Sequence, residues 1–405
     1  MHKKILFVLF ATLLVDMIGF GMIIPVLPAI LTDASSPSFL LGEYSQGMQY
    51  FIAGLITGVW GLMQFVSSPI FGELSDVYGR KKLLLVGVGI LSIAQVIFGF
   101  GVVVGSLAIL LVSRIVAGLA GSNFTIVQAS IADITEPQDR AKNFGLIGVA
   151  VGVGFILGPM LGGLIAHSTG NAAAPFWTAG LLGVFNFISL IFFLPETNKH
   201  IHEQKKFTLL KGVHNIKAAF NDVDARPVYG ASFFYIAGFS FFTSFSGILL
   251  VAKHGFSEAA IGTFFAAIGV WIIITQGFIL RILSRKYSER SILRYSIIVI
   301  ACALAAYPFM PNPTYLYLIL PFIAIPQGLS MANMGALVSK GVSSQKQGVA
   351  LGINSSLGAL AQGVVPLFAG AGSGLLAIQA PFIMGGIFML IAWALLFAPR
   401  PKVSI

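Results

Sequence analysis

Residues 72–82 read Gly72-Glu73-Leu74-Ser75-Asp76-Val77-Tyr78-Gly79-Arg80-Lys81-Lys82, a short charged stretch between two long apolar runs. The pattern is G-x-L-x-D-x-x-G-R-K/R-K/R. Two glycines, one acid and a basic triplet at this spacing are rare by chance in so apolar a chain. A loop that is basic because it lies on the cytoplasmic side of a membrane accounts for Arg80, Lys81 and Lys82. It leaves Asp76, Gly72 and Gly79 unexplained.

Working outward, the chain has 405 residues, of which 57% are hydrophobic and only 9% charged. Its mean hydropathy is +0.92. A soluble domain of that length carries far more charge. A helix needs about 20 apolar residues to cross the hydrocarbon core. Twelve such runs lie near 5–30, 47–70, 83–104, 107–132, 143–166, 174–195, 228–252, 259–283, 292–309, 314–337, 347–370 and 375–398. The first is too long for a cleaved signal, carries Asp16, and ends in Pro25-x-x-Pro28 instead of a small-residue cleavage site.

Charge placement orients the spans. Of 24 Lys and Arg, all but Arg114 and Lys253 fall on one side of the twelve-span assignment, which puts both termini in the cytoplasm. The net charge of +10 therefore speaks of topology and anionic lipid, not of nucleic acid. Cys302 is the single cysteine, so an internal disulfide and a multi-thiolate site are excluded. The six histidines are scattered, and no metal site is expected.

The longest polar stretch, 197–226, divides six spans from six. Within it Leu209, Val213, Ile216 and Phe220 recur at helical spacing beside Lys211 and Lys217, which predicts an amphipathic helix on the inner membrane face. The halves repeat. Ser75-Asp76-Val77-Tyr78 aligns with Ser284-Arg285-Lys286-Tyr287, while Pro159 and Gly163 align with Pro366 and Gly370. Asp76 becomes Arg285 in the second copy, so the acidic element belongs to the first half.

Asp16 is the one acid expected deep in the membrane. It lies eleven residues past Ile5, or roughly 16 Å in at 1.5 Å per residue, near the midplane of a core about 30 Å thick. Arg114, on the antiparallel fourth span, falls at similar depth. An ionisable residue in a membrane helix is a functional hypothesis and needs a partner. Two readings stand: a carboxyl that loads and releases a proton, or a permanent ion pair tying the first and fourth spans together.

Around these charges the sequence reads Asp16-x-x-Gly19-x-Gly21 with Pro25-Val26-Leu27-Pro28, then Arg114-x-x-x-Gly118-x-x-Gly121, then Gly154-Phe155-Ile156-Leu157-Gly158-Pro159-Met160-Leu161-Gly162-Gly163. Together with residues 72–82 these motifs resemble those of the twelve-helix drug/proton antiporters of the major facilitator superfamily, and most of all tetracycline/proton antiporters and their relatives. The resemblance implies an all-α membrane fold of twelve transmembrane helices in two six-helix, pseudo-symmetric bundles: 1–196 as the N-terminal bundle, 197–226 as a cytoplasmic linker with an amphipathic helix, and 227–405 as the C-terminal bundle. It implies a multi-pass protein of the bacterial inner membrane. The partners are then protons, the lipid bilayer and a small-molecule substrate, with no cofactor. A monomer is expected because one chain holds both halves.

The superfamily layout implies that Gly72, Asp76, Gly79, Arg80 and Asp133 form a conformational latch, with Asp76 facing the start of the eleventh helix near Gln347. The fifth-span motif, Gly154, Gly158, Pro159, Gly162 and Gly163, is the element associated with antiport. Its glycines permit close backbone approach and its proline bends the helix. Among polar and aromatic residues at mid-depth, Phe20, Tyr235, Phe239, Trp271, Gln327 and Asn354 are the candidates for a largely apolar substrate cavity.

Tetracycline antiporters carry further acids in the third and ninth helices; here Gln95 and an uncharged stretch, 295–304, stand there. No G-x-x-x-x-G-K-S/T loop occurs, so the energy source is expected to be the proton gradient. No nucleophile–base pair falls within the spans, and an enzyme is not expected. The leading expectation is proton-coupled export of a lipophilic or amphipathic small molecule. The alternatives are a transporter of a specific metabolite and a non-transporting receptor.

Overall fold

The structure, a computed structural model, describes residues 2–136, 140–198, 211–221, 225–340 and 347–398. All its regular elements among these residues are helical: α1 His2–Leu31, α2 Gln46–Tyr78, α3 Arg80–Val104, α4 Leu107–Ala120, α5 Asn123–Ile134, α6 Arg140–Thr169, α7 Ala174–Phe193, α8 Lys211–Asn221, α9 Arg226–His254, α10 Glu258–Ile274, α11 Leu280–Leu283, α12 Glu289–Ala306, α13 Pro313–Lys340, α14 Gln347–Leu375 and α15 Ala380–Leu395. Among the described residues eleven helices are long and apolar enough to cross a bilayer, and the 16-residue α15 is a shorter apolar helix.

Two of the expected runs are interrupted. The fourth breaks at Gly121 and Ser122 into α4 and α5. There Gly121 N–H bonds the Gly118 carbonyl and Ser122 N–H the Ala120 carbonyl, tightening the turn. From α2, Ser67 donates to the Gly118 carbonyl and Ser68 shares a hydrogen bond with Thr125, one on each side of the break. The eighth run contains a π-helical turn, Thr275–Ile279, between α10 and α11.

The charged stretch 72–82 is not a loop: it ends α2 and begins α3. At 33 residues α2 is longer than a bilayer core requires, and its overhang carries the motif through Tyr78. Gly79 alone separates it from α3, with φ +96° and ψ 148°, a region essentially reserved for glycine.

Backbone packing gathers the chain into two compact units. One comprises 1–42, 66–211 and 256–266; the other 43–65, 212–255 and 267–405. The first is cored by Leu9, Leu13, Leu84, Val88, Ile126 and Leu190, drawn from α1, α3, α5 and α7. In the second, Val228, Tyr229, Val338, Ala350, Ile353 and Leu357 pack together.

The internal repeat shows in how each unit is closed. In the first, a Cβ on Gly262 of α10 would overlap the Pro159 carbonyl of α6, and one on Gly163 would overlap Glu258. In the second, a Cβ on Gly54 of α2 would overlap the Pro366 carbonyl of α14, and one on Gly370 the Tyr50 carbonyl. The aligned Pro–Gly pairs thus do the same job twice, admitting a helix at backbone distance.

The linker helix is α8. Leu209 lies outside the described residues. Ile216 and Ala219 turn onto the second unit, and Asn215 donates to Ser356 at 3.0 Å. Val213, Lys217 and Phe220 face outward.

Gly79→Ala should cost about 1–3 kcal/mol, because the backbone region is strained for any L side chain and the new Cβ meets Glu196. Heat-induced loss of the folded peak in detergent measures it.

Candidate functional site: a buried carboxyl and a charge cluster

Asp16 lies midway along α1 and points into the first unit. Its Oδ2 accepts a hydrogen bond from Asn123 Nδ2 at 2.9 Å. Beside it is a cavity of about 20 Å³, lined by Val15 and Gly19 of α1, Val88, Leu91, Ser92 and Gln95 of α3, and Ala179 and Gly183 of α7. That volume holds one water molecule. One turn below, Thr12 donates to Asn186 Oδ1 at 3.1 Å.

Arg114 does not pair with Asp16. Its Nη2 donates to Gln95 Oε1 at 3.2 Å, and its guanidinium lies 4.3 Å from the Phe98 ring centroid. Gln95 Nε2 in turn donates to the Gly19 carbonyl at 3.3 Å. The direct partnership expected from equal depth is not made: the relay from Arg114 through Gln95 ends on the Gly19 carbonyl of α1, not on Asp16. Depth is set by residue number, but the side of the helix on which two groups face one another is set by packing. Arg114 is 6% exposed and its Nε has no hydrogen-bond partner, so its charge rests on one amide and one aromatic face.

The glycines of α6 act on α1. A Cβ at Gly154 would overlap Met17, one at Gly158 would come within 2.8 Å of Gly21 Cα, and one at Gly162 within 2.6 Å of Met22 Cα. Gly154, Gly158 and Gly162 thus hold the helix that carries Asp16; Pro159 serves both sides, its ring against Gly21 of α1 and its carbonyl against Gly262 of α10, while Gly163 faces α10.

The second cluster sits where α2 meets α3. Asp76 is in the last turn of α2 and Arg80 in the first turn of α3, each at the end where the helix dipole disfavours its sign. They compensate one another: Arg80 Nη2 lies 2.6 Å from Asp76 Oδ1, and Arg80 Nε lies 3.1 Å from Asp133 Oδ2. A further guanidinium nitrogen donates to Ser75 Oγ. Glu196, which sequence reasoning missed, caps α3. Its carboxylate accepts from the Arg80 backbone N–H at 2.8 Å and the Lys81 N–H at 3.2 Å. An acid directly after the sixth run was the signal available. Gly72 packs near Thr125. The Gln347 side chain lies outside the described residues.

The cavity candidates divide. In the second unit the Tyr235 hydroxyl lies beside Gln327, near enough to interact but short of hydrogen-bond geometry, and Tyr235 Oη, Gln327 Oε1 and Ser330 Oγ are buried without partners. Asn354 accepts from Ser232 at 2.6 Å. Phe239 stacks on Phe242 at 5.7 Å, and the Trp271 carbonyl accepts from Thr275. Phe20 belongs to the first unit and meets Phe155 at 6.2 Å.

A bundle of membrane-spanning helices with glycine-lined crossings and a buried, hydrogen-bonded acid defines a membrane transporter. Residues 9–366 match the family model of the Major Facilitator Superfamily, and the chain belongs to that family. It is 30% identical over 365 residues to the tetracycline resistance protein, class G, of Vibrio anguillarum, covering 87% of this chain and 86% of that one. It is 28% identical over 375 residues to the quinolone resistance protein NorA of Staphylococcus aureus (strain COL), covering 92% and 90%. Two solved structures share the fold: the human organic anion transporter MFSD10 (TM-score 0.75, 24% identity, 97% of this chain and 99% of that one) and a D-xylose–proton symporter (TM-score 0.80, 15% identity, 99% and 98%). The protein is thus a multi-pass membrane transporter of the major facilitator fold.

Gln95→Leu should strip Arg114 of its hydrogen bond and cost about 1.5–3 kcal/mol, while leaving the Asp16–Asn123 contact intact. A lowered thermal midpoint in detergent is the expected result.

Proposed function

We propose that this transporter exports a lipophilic or amphipathic small molecule in exchange for protons, by alternating access. The observation that carries the reading is the Asp16 carboxyl, held against a cavity with room for one water and bonded to an amide instead of a cation. A permanent ion pair with Arg114 is the competing role for Asp16, and the Gln95 relay argues against it. A neutral amide partner, unlike a guanidinium, does not require the carboxyl to stay charged. A proton crossing the full potential supplies about 2.3 kcal/mol per 100 mV.

In this reading Gly72, Asp76, Gly79, Arg80 and Asp133 act as a latch that must loosen during each cycle. Gly154, Gly158, Pro159, Gly162 and Gly163 provide the smooth surface against which α1 moves. Tyr235, Phe239, Trp271, Gln327 and Asn354 of the second unit, and separately Phe20 of the first, are the residues we assign to substrate binding; the neighbouring Tyr235 and Gln327 side chains supply polar groups for it. The chain works as a monomer in a bacterial inner membrane with both termini in the cytoplasm. The resistance proteins it resembles point to antibiotics or similar amphipathic compounds as substrates.

The test is a growth-inhibition screen with tetracycline, norfloxacin and ethidium in cells expressing the protein, beside Asp16→Asn. Resistance to at least one compound is expected from the wild type. Asp16→Asn should reach the membrane at normal levels yet lose the resistance, together with pH-gradient-driven uptake of that compound into inside-out vesicles. Full gradient-driven uptake by Asp16→Asn would contradict the proposal.

A further inference from the structure

Asn123 is 2% exposed, and only half of its amide is used. Its Nδ2 donates to Asp16, while its Oδ1 is buried with no hydrogen-bond partner. Leaving a buried acceptor unpaired is costly, so a position that keeps one invites a state in which it is paired. That state is chemically defined. A carboxylate only accepts hydrogen bonds, whereas a carboxylic acid also donates one. A primary amide is complementary to both, since a half-turn about its last torsion exchanges the NH₂ donor for the C=O acceptor.

The surroundings permit such an exchange. Gly87 faces Asn123 Oδ1, and a Cβ there would overlap it, so the missing side chain leaves the amide its room. Asn123 is also the first residue of α5, immediately past the break in the fourth span. The hydroxyl of Ser122, fully buried at that break, has no partner either. The groups that face Asp16 from the packed elements are otherwise uncharged: Ser92 and Gln95 of α3, Ala179 and Gly183 of α7, and Gly154 of α6, which abuts Met17. Arg114 of α4 reaches this neighbourhood through Gln95.

We propose that Asn123 is the positioning residue that registers whether Asp16 holds a proton, donating to the carboxylate in one state and accepting from the protonated acid in the other. The proton comes from solvent as hydronium by way of the adjoining cavity, leaving water behind, and on deprotonation it passes back to solvent water as hydronium. No cation has to move. The swap acts on the head of α5, where the fourth span is already broken. The inference rests on the proton-coupled reading above.

The test is infrared difference spectroscopy on the purified protein in lipid, recorded across a pH titration. The band of the protonated carboxyl that disappears in Asp16→Asn is the readout. Asn123→Leu removes the amide while keeping its branched shape, and Asn123→Ala covers a failure of the bulkier Leu variant to fold. Each should displace the band frequency and move its midpoint by a pH unit or more, about tenfold in proton affinity. Asn123→Ser, which both donates and accepts, should recover part of the shift relative to Ala. A folded variant with the wild-type band and midpoint overturns the proposal. A wild type lacking any titrating Asp16 band defeats the proton-coupled reading itself, and the role of Asn123 falls with it.

Discussion

A carboxyl group inside an apolar helix bundle must be neutral, paired or hydrogen-bonded, and Asp16 meets that constraint with an amide and a pocket for one water. Pairing with a guanidinium would hold it charged in every conformation. An amide leaves both protonation states within reach. Arg114 rests on other groups, Gln95 and the face of Phe98, and makes no ion pair with Asp16.

The same helices connect this acid to the charge cluster where α2 meets α3. Helix α5 has Asn123 at its head and Asp133 ten residues on, roughly 15 Å away at 1.5 Å per residue. One end bonds Asp16 and the other bonds Arg80. Arg80 is held in turn by Asp76, with Glu196 capping the helix it begins. A single short helix therefore touches both polar centres of the first unit. The break above it, stitched to α2 by Ser67 and Ser68, lets α5 behave as an element separate from α4. On the opposite side of α1, the α6 glycines bring two backbones together with few interlocking side chains, a surface suited to sliding.

Much of this architecture was legible from the chain alone. Apolar run length follows from bilayer thickness, and the helices found match the runs read from the sequence. The Pro159/Gly163 and Pro366/Gly370 repeat reflects a packing solution used twice, which is why it survives as a pattern. The motif at 72–82 is plain in the sequence but its helical form is not, because a helix that outlasts the bilayer looks polar at its end. The fourth span appeared continuous since neither Gly121 nor Ser122 forbids a helix; tertiary hydrogen bonds from α2 favour the break. Asn123 and Gln95 carried no charge to draw attention, and their roles depend on helix rotation, which spacing along one helix does not determine. Glu196 acts on α3 across more than a hundred residues of sequence. Asp16 stood out because a lone acid in twenty apolar residues has no cheap structural explanation.

The central claim, that Asp16 exchanges its proton as substrate binds, is tested most directly by proton release. A compound to which the protein confers resistance is added to the purified transporter in weakly buffered detergent solution, and the pH is followed. The account predicts a stoichiometric release of protons from the wild type and none from Asp16→Asn. Equal release from both would contradict it.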